Sequence, residues 1–261
     1  MKKSYEMDMC SGPLLSKLLL FTLPLMLSGI LQLLFNAADI VIVGKFSGSH
    51  ALAAVGSTSA LINLFVNVFI GFSIGTNVLA AQYFGAKDRK NMQETVHTSV
   101  LLGIIGGLFL IVAGLLLGRL MLEWMGTPEN VLDQAALYIN IYFAGMPAML
   151  VYNFGAAILR AIGDTRRPLF YLLTAGVINV IMNMIFVIGF HMGVAGVALA
   201  TVISQVISAC LIVRCLMQSE GMYHLELRNI RIYKGKLLQI VRIGLPAGLQ
   251  GAVFSISNVL I

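Results

Sequence analysis

One carboxylate in this chain stands where a carboxylate is costly. Asp39 lies inside the apolar stretch from Ser28 to Gly44, SGILQLLFNAADIVIVG. At about 100° per residue, Ser28, Gln32, Asn36 and Asp39 fall within roughly one quarter of a helix circumference, so the polar side chains form one stripe. The other faces carry Leu, Ile, Val and Phe. Dehydration disfavours the charged form of a carboxyl group, which suits it to take up and release a proton, and when ionised it attracts a cation. That is coupling chemistry. The structural alternative is a carboxylate hydrogen-bonded to Asn36 and Asn179 that fixes helix packing. Two further apolar segments carry polar faces: Asn179 and Asn183 are spaced i, i+4, and Thr201, Gln205 and Ser208 line one side of the next segment.

The elements that must hold these groups are transmembrane helices. The chain has 261 residues, 59% hydrophobic and 11% charged, and its apolar residues come in blocks long enough to cross a hydrocarbon layer about 30 Å thick. The fold class is all-α integral membrane, with six complete spans and the start of a seventh. The spans run roughly over 18–43, 51–81, 96–117, 131–159, 169–190 and 194–216, and the last begins near 243. The bilayer is the first partner implied. A net charge of +6 does not indicate nucleic acid, because the basic residues sit in short segments between apolar blocks without a basic stripe. Cys10, Cys210 and Cys215 have neither metal-ligand nor disulfide spacing. The first apolar block is too long for the core of a cleaved signal peptide. Paired catalytic carboxylates, a histidine cluster and a nucleophile with an adjacent base are all missing from the spans, so neither an enzyme nor a bound cofactor is expected.

Punctuation adds detail. Pro24 removes a helical hydrogen bond about one turn into the first span and is a candidate hinge. Gly71 and Gly75, then Gly103, Gly107, Gly114 and Gly118, form small-xxx-small pairs suited to close helix contact. Asn63, Asn67, Asn77, Asn140 and Asn153 are expected to be packing amides, and His97 and His191 to sit near the membrane interface. Gly145 and Pro147 interrupt span four. Gly44 to His50, Gln82 to Thr95 and Arg160 to Pro168 read as connections. The stretch KGKLLQIVR within 218–242 reads as a helix lying on the membrane surface. Of 17 basic residues, 15 fall on one side of the spans and only Lys45 and Arg119 on the other, which places the N-terminus in the cytoplasm.

The first and seventh spans match each other. LPLMLSGILQLLFN from Leu23 aligns without gaps with LPAGLQGAVFSISN from Leu245, pairing Pro24 with Pro246, Gly29 with Gly251 and Asn36 with Asn258. An even number of spans separates the copies, so both enter the membrane in the same direction, as in parallel repeats. The expected organisation is therefore an N-terminal six-helix lobe over 1–217, a cytoplasmic amphipathic linker over 218–242, and the truncated start of a second lobe over 243–261. Ile261 falls opposite Asp39, so the second copy has an apolar residue at that position.

Five stretches in order, LPLMLSGILQLLFNAADIVIVGKF, AAQYFGAKDRK, TPENVL, LRAIGDTRRPL and GVAGVALATVISQ, resemble the multidrug and toxic compound extrusion (MATE) transporters along essentially the whole chain. The resemblance implies half of a twelve-helix, two-lobe antiporter of the plasma membrane. Such a protein exports organic cations, drugs or metabolites in exchange for protons or sodium, and its second six-helix lobe would lie beyond this chain. It also implies a cation site matching Asp39, Asn179, Asn183 and Thr201, open to sodium, and the polar stripe of the first span adds Gln32 and Asn36 as candidates for the same cavity. Many relatives carry Asp where this chain has Asn183, which weakens the case for a bare sodium ion.

Depth supports the grouping without the family. At about 1.5 Å per residue, Asp39, Asn183 and Thr201 lie roughly 8, 9 and 10 Å inside the outer ends of their spans, with Asn179 about one turn deeper. The competing readings are a lipid-linked saccharide flippase of similar architecture and a non-transporting membrane fragment. The first is expected to place Arg and Lys inside its spans to meet phosphates, and this chain has none there. The second leaves Asp39 without a use.

Overall fold

Helices continue well past the limits set by hydrophobicity. The computed structural model describes the backbone of residues 14–260 and the side chains of 15–255; Cys10 and the repeat positions Asn258 and Ile261 lie outside the described side chains. The long helices are α1 (Leu14–Phe46), α2 (Gly48–Gly85), α3 (Arg89–Trp124), α4 (Glu129–Ala144), α5 (Met146–Ala161), α6 (Arg166–Asn183), α7 (Gly193–Met217) and α8 (Lys234–Leu260). A π-helical stretch, Met184–Gly189, extends α6, and no strand occurs among the described residues. Six of these helices, α6 taken with its π-helical stretch, are long and apolar enough to cross a membrane, and α4 with α5 forms a seventh, bent span.

The connections expected from the sequence are shorter than predicted. Between α1 and α2 only Ser47 is non-helical, and between α2 and α3 only Ala86, Lys87 and Asp88 are. Most of Gln82 to Thr95 is therefore helix, as are Arg160, Ala161 and Arg166 to Pro168. The physical reason is that a helix satisfies its own backbone in water as well as in lipid. Thirty-eight residues in α2 span about 57 Å, far more than a hydrocarbon layer. Where such a short connection joins two spans, the chain turns back and the two helices run antiparallel.

The stretch from Lys234 to Arg242 is also corrected. It is not a separate surface helix but the first part of α8, which continues unbroken through Pro246. Pro24 likewise lies inside a continuous α1. The break at Gly145 and Pro147 agrees with expectation: α4 and α5 meet at a bend of 48°.

Small residues set the packing. Along α3, an added Cβ would lie 3.1 Å from Phe154 at Gly103, 2.2 Å from Pro147 at Gly107, 2.5 Å from Phe143 at Gly114 and 2.8 Å from Ile139 at Gly118. The glycine stripe is the groove into which the whole bent span fits. On α2, Gly71 and Gly75 meet the backbone of α8 at Gly248, Gly244 and Ile240. Where lipid tails are as apolar as leucine, such close approach replaces the hydrophobic effect as the source of helix association.

Among the packing amides, Asn67 donates to Ser255 Oγ at 2.8 Å on α8, and Asn77 donates to the Ala157 carbonyl at 2.8 Å on α5. Asn153 bonds the Met149 carbonyl of its own helix. Asn63 and Asn140 are exposed, where burial between helices was the expectation.

Candidate functional site

The polar groups singled out on α1, α6 and α7 converge. Helix α1 packs on α6 through Phe35, whose ring occupies the space a side chain would need at Gly176. One turn further along α1, Asp39 faces the buried amides of α6. Asn183 Nδ2 donates to Asp39 Oδ1 at 2.5 Å and to Asn179 Oδ1 at 3.2 Å. Asn179 Nδ2 donates to Thr201 Oγ1 at 3.3 Å, and Thr201 donates to the Val197 carbonyl at 3.0 Å. Hydrogen bonds therefore link α7 to α1, with the carboxylate as terminal acceptor.

Asn183 is fully buried and Asn179 nearly so. With its amide protons committed, Asn183 keeps a buried carbonyl oxygen without a donor, and Gln205 Oε1 is in the same condition. A buried acceptor without a partner is costly. Directly after Asn183, the helix widens from α to π hydrogen bonding, a local geometry that occurs often at functional sites.

Two tyrosines not picked out by sequence also belong here. Tyr138 and Tyr142 of α4 stack with ring centres 5.9 Å apart, within electrostatic reach of Asp39. Their i, i+4 spacing on one face was readable, but aromatic pairs of that kind are common in any core. Gln205 packs its amide against Gly145 at the α4–α5 bend. Gln32 and Asn36 are exposed on α1 and are not part of the hydrogen-bonded group, so Asp39 takes its amide partner from α6 and not from its own stripe. Pro24 is buried, and its carbonyl accepts from Ser28 Oγ at 2.8 Å.

A carboxylate that meets amide and hydroxyl groups inside a bundle of helices long and apolar enough to cross a membrane is the arrangement of a multi-pass membrane protein with a polar interior. The chain belongs to the MATE family: the MatE pattern matches residues 24–185. It is 31% identical to the probable multidrug resistance proteins YoeA and YpnP of Bacillus subtilis, over 92% and 95% of this chain and 53% and 55% of those proteins. Multidrug export protein MepA of Staphylococcus aureus is 23% identical over 96% of the chain and 55% of its own length. The chain thus spans about half the length of the curated relatives it matches.

Solved structures agree. A MATE protein in the bent conformation superposes with a TM-score of 0.85 at 26% identity, covering 92% of this chain and 54% of that one. An inward-facing MATE transporter superposes at 0.79 and 28% identity, covering 86% and 51%.

Proposed function

We propose that the protein to which this lobe belongs is a cation-coupled antiporter of the plasma membrane, exporting organic cations, drugs or metabolites. The observation that carries the reading is the hydrogen-bonded chain Thr201, Asn179, Asn183, Asp39, whose two amides are buried and whose last bond ends on the carboxylate. Ionised, Asp39 holds an organic cation or sodium; when it takes a proton from outside, the charge is cancelled and the bound cation leaves. The oxygen donors fit a monovalent ion: one carboxylate, the Thr201 hydroxyl, and the free Asn183 carbonyl. A divalent oxygen site normally recruits more carboxylates.

In this reading residues up to 217 form one lobe, α8 opens the second, the N-terminus is cytoplasmic, and Pro24 is the hinge through which α1 bends as the site changes access. Proline leaves one carbonyl of the preceding turn without its amide partner, which makes bending cheap. Gln32 and Asn36, exposed on α1, then face the space between the lobes. The names of the relatives, multidrug resistance and multidrug export proteins, support the substrate class.

The test is uptake of a fluorescent organic cation into inverted vesicles containing the full-length protein. With Asp39→Asn, uptake driven by an imposed proton or sodium gradient is expected to fall to background while the protein remains folded in the membrane. Unchanged coupled uptake overturns the role given to Asp39.

A further inference from the structure

The segment joining α7 to α8 is fixed to α3 by two consecutive side chains, and only one of them can titrate. Tyr223 and Leu225 bury themselves against Met92, Val96, Leu159 and Leu216, and Leu225 N–H bonds the Leu216 carbonyl at 3.1 Å. The next amide, Glu226 N–H, finds its acceptor on a ring: His97 Nε2 at 3.1 Å. On the other side of that ring, Nδ1 lies 2.7 Å from the Gln93 carbonyl. A carbonyl can only accept and a backbone N–H can only donate, so Nδ1 carries the proton and Nε2 is bare. His97 is 4% exposed, and both of its ring nitrogens are committed in the neutral form.

The second pin is Thr98, whose hydroxyl donates to the Glu94 carbonyl at 2.7 Å and accepts from Tyr233 N–H at 3.2 Å. It does not titrate. Between the two pins the 3₁₀ turn Leu227–Asn229 covers a polar cavity of about 470 Å³ lined by His97, which gives water a route to the ring. The charged and titratable groups around that cavity are Lys90 and Glu94 from α3 and Glu226, Arg228, Arg231 and Tyr233 from the joining segment. Asn229 donates to the Glu226 carboxylate. His224, on the same segment, is tied within it to the Ser219 carbonyl at 2.8 Å.

We infer that His97 is a proton-sensitive latch on the segment between α7 and α8: neutral, it holds Glu226 against α3, and protonated, it releases 226–232 while Thr98 retains Tyr233. The reason is geometric. A proton on Nε2 turns the acceptor into a donor facing another donor, and the pair separates. Acidification on this face then adds slack to the tether between the lobe and α8. The inference is independent of the transport reading, since it concerns one hydrogen bond and its chain segment.

Amide hydrogen exchange of the chain in detergent, followed by mass spectrometry at pH 8 and pH 5.5 with labelling times scaled for intrinsic exchange, tests it. Amides within 226–232 are expected to lose protection about tenfold at the lower pH, with core peptides of α3 and α5 unchanged. His97→Gln, a non-titrating side chain able to accept at a similar reach, is expected to abolish the pH dependence. Thr98→Val is expected to raise exchange at Tyr233 at both pH values. Equal protection of the wild-type segment at both pH values overturns the latch, as does the same pH dependence in His97→Gln, which would move the effect to His224 or the carboxylates. If His97→Gln does not fold, ¹⁵N-histidine spectra of the wild-type chain decide: a neutral ring protonated on Nε2 overturns the proposal.

Discussion

Asn183 gives an amide proton to Asp39 across 144 residues of sequence, at 2.5 Å, while its own carbonyl oxygen has no donor. The amide thus stabilises the ionised carboxylate without adding charge. Asn183→Asp replaces that donor with a second carboxylate, and two carboxylates at this range do not both ionise unless a cation sits between them. The variant, with two carboxylates in place of one, is expected to bind sodium more tightly than the wild-type chain. Melting temperatures at pH 8 in sodium chloride and in choline chloride read this out. At sodium 100-fold above Kd, stabilisation is about 2.7 kcal/mol, against a smaller change for the wild type.

The contact of α2 with α8 leaves no room for a methyl group at its centre. A Cβ on Gly71 would sit 2.3 Å from the Gly248 amide nitrogen, and one on Gly56 of the same helix would meet nothing within 4 Å. Backbone cannot move aside as the end of a side chain can. Gly71→Ala is expected to destabilise the α2–α8 pair by about 1–3 kcal/mol, while Gly56→Ala is neutral or slightly stabilising, because alanine suits a helix better than glycine. Thermal melting of the two variants, with cysteine cross-linking from α2 to α8 as a readout of separation, distinguishes a local effect from general loss of folding.

Why some of this was legible in the sequence and some was not follows from what each signal encodes. Asp39 stood out because a lone charge in an apolar block has few other uses, and helix rise placed it level with Asn183 and Thr201. The partner on α6 was therefore within reach of arithmetic. Gln32 and Asn36 were not, because a polar stripe tells which side chains share a face but not which helix covers it. Asn63 and Asn140, both exposed, make the same point. The helix ends were misplaced because hydropathy marks where lipid stops, whereas a helix such as α2 stops only where its backbone geometry changes, near Lys87 with φ 56°. Lys234 to Arg242 misled for the same reason. His97 was placed near a span end, but its bond to Glu226, 129 residues away, carries no local signature.

Asp164 is completely buried and pairs with Arg167, whose guanidinium also reaches Cys215 Sγ at 3.1 Å and the Tyr223 hydroxyl at 3.3 Å. The pair closes the turn between α5 and α6 and anchors the segment after α7. Arg167→Gln strands a buried carboxylate and is expected to cost about 3–5 kcal/mol. Arg167→Gln combined with Asp164→Asn is expected to recover part of that loss, because no uncompensated charge remains. Melting of both variants in detergent checks the order. A double variant as unstable as the single one would assign the effect to the lost Tyr223 and Cys215 contacts.

Asp88 caps α3. Its Oδ1 accepts the Asn91 backbone N–H at 3.1 Å, and its Oδ2 accepts from the Asn91 side chain at 2.6 Å. These bonds, with a smaller contribution from the Lys236 charge, hold its carboxyl below the usual carboxylate range. A carboxyl held low in the folded state contributes stability that is fully present above the unfolded value, about 3.9, and is lost as pH falls through the lower folded value. The difference in melting temperature between the wild-type chain and Asp88→Ala is therefore expected to be constant from pH 8 to pH 5 and to shrink as pH falls below about 4. Asp88→Asn, which keeps an N-capping side chain without the titration, is expected to differ from Asp88→Ala by an amount that does not vary over the same range. A wild-type advantage that grows on acidification would show that the cap works through its neutral form, contrary to the hydrogen bonds it makes.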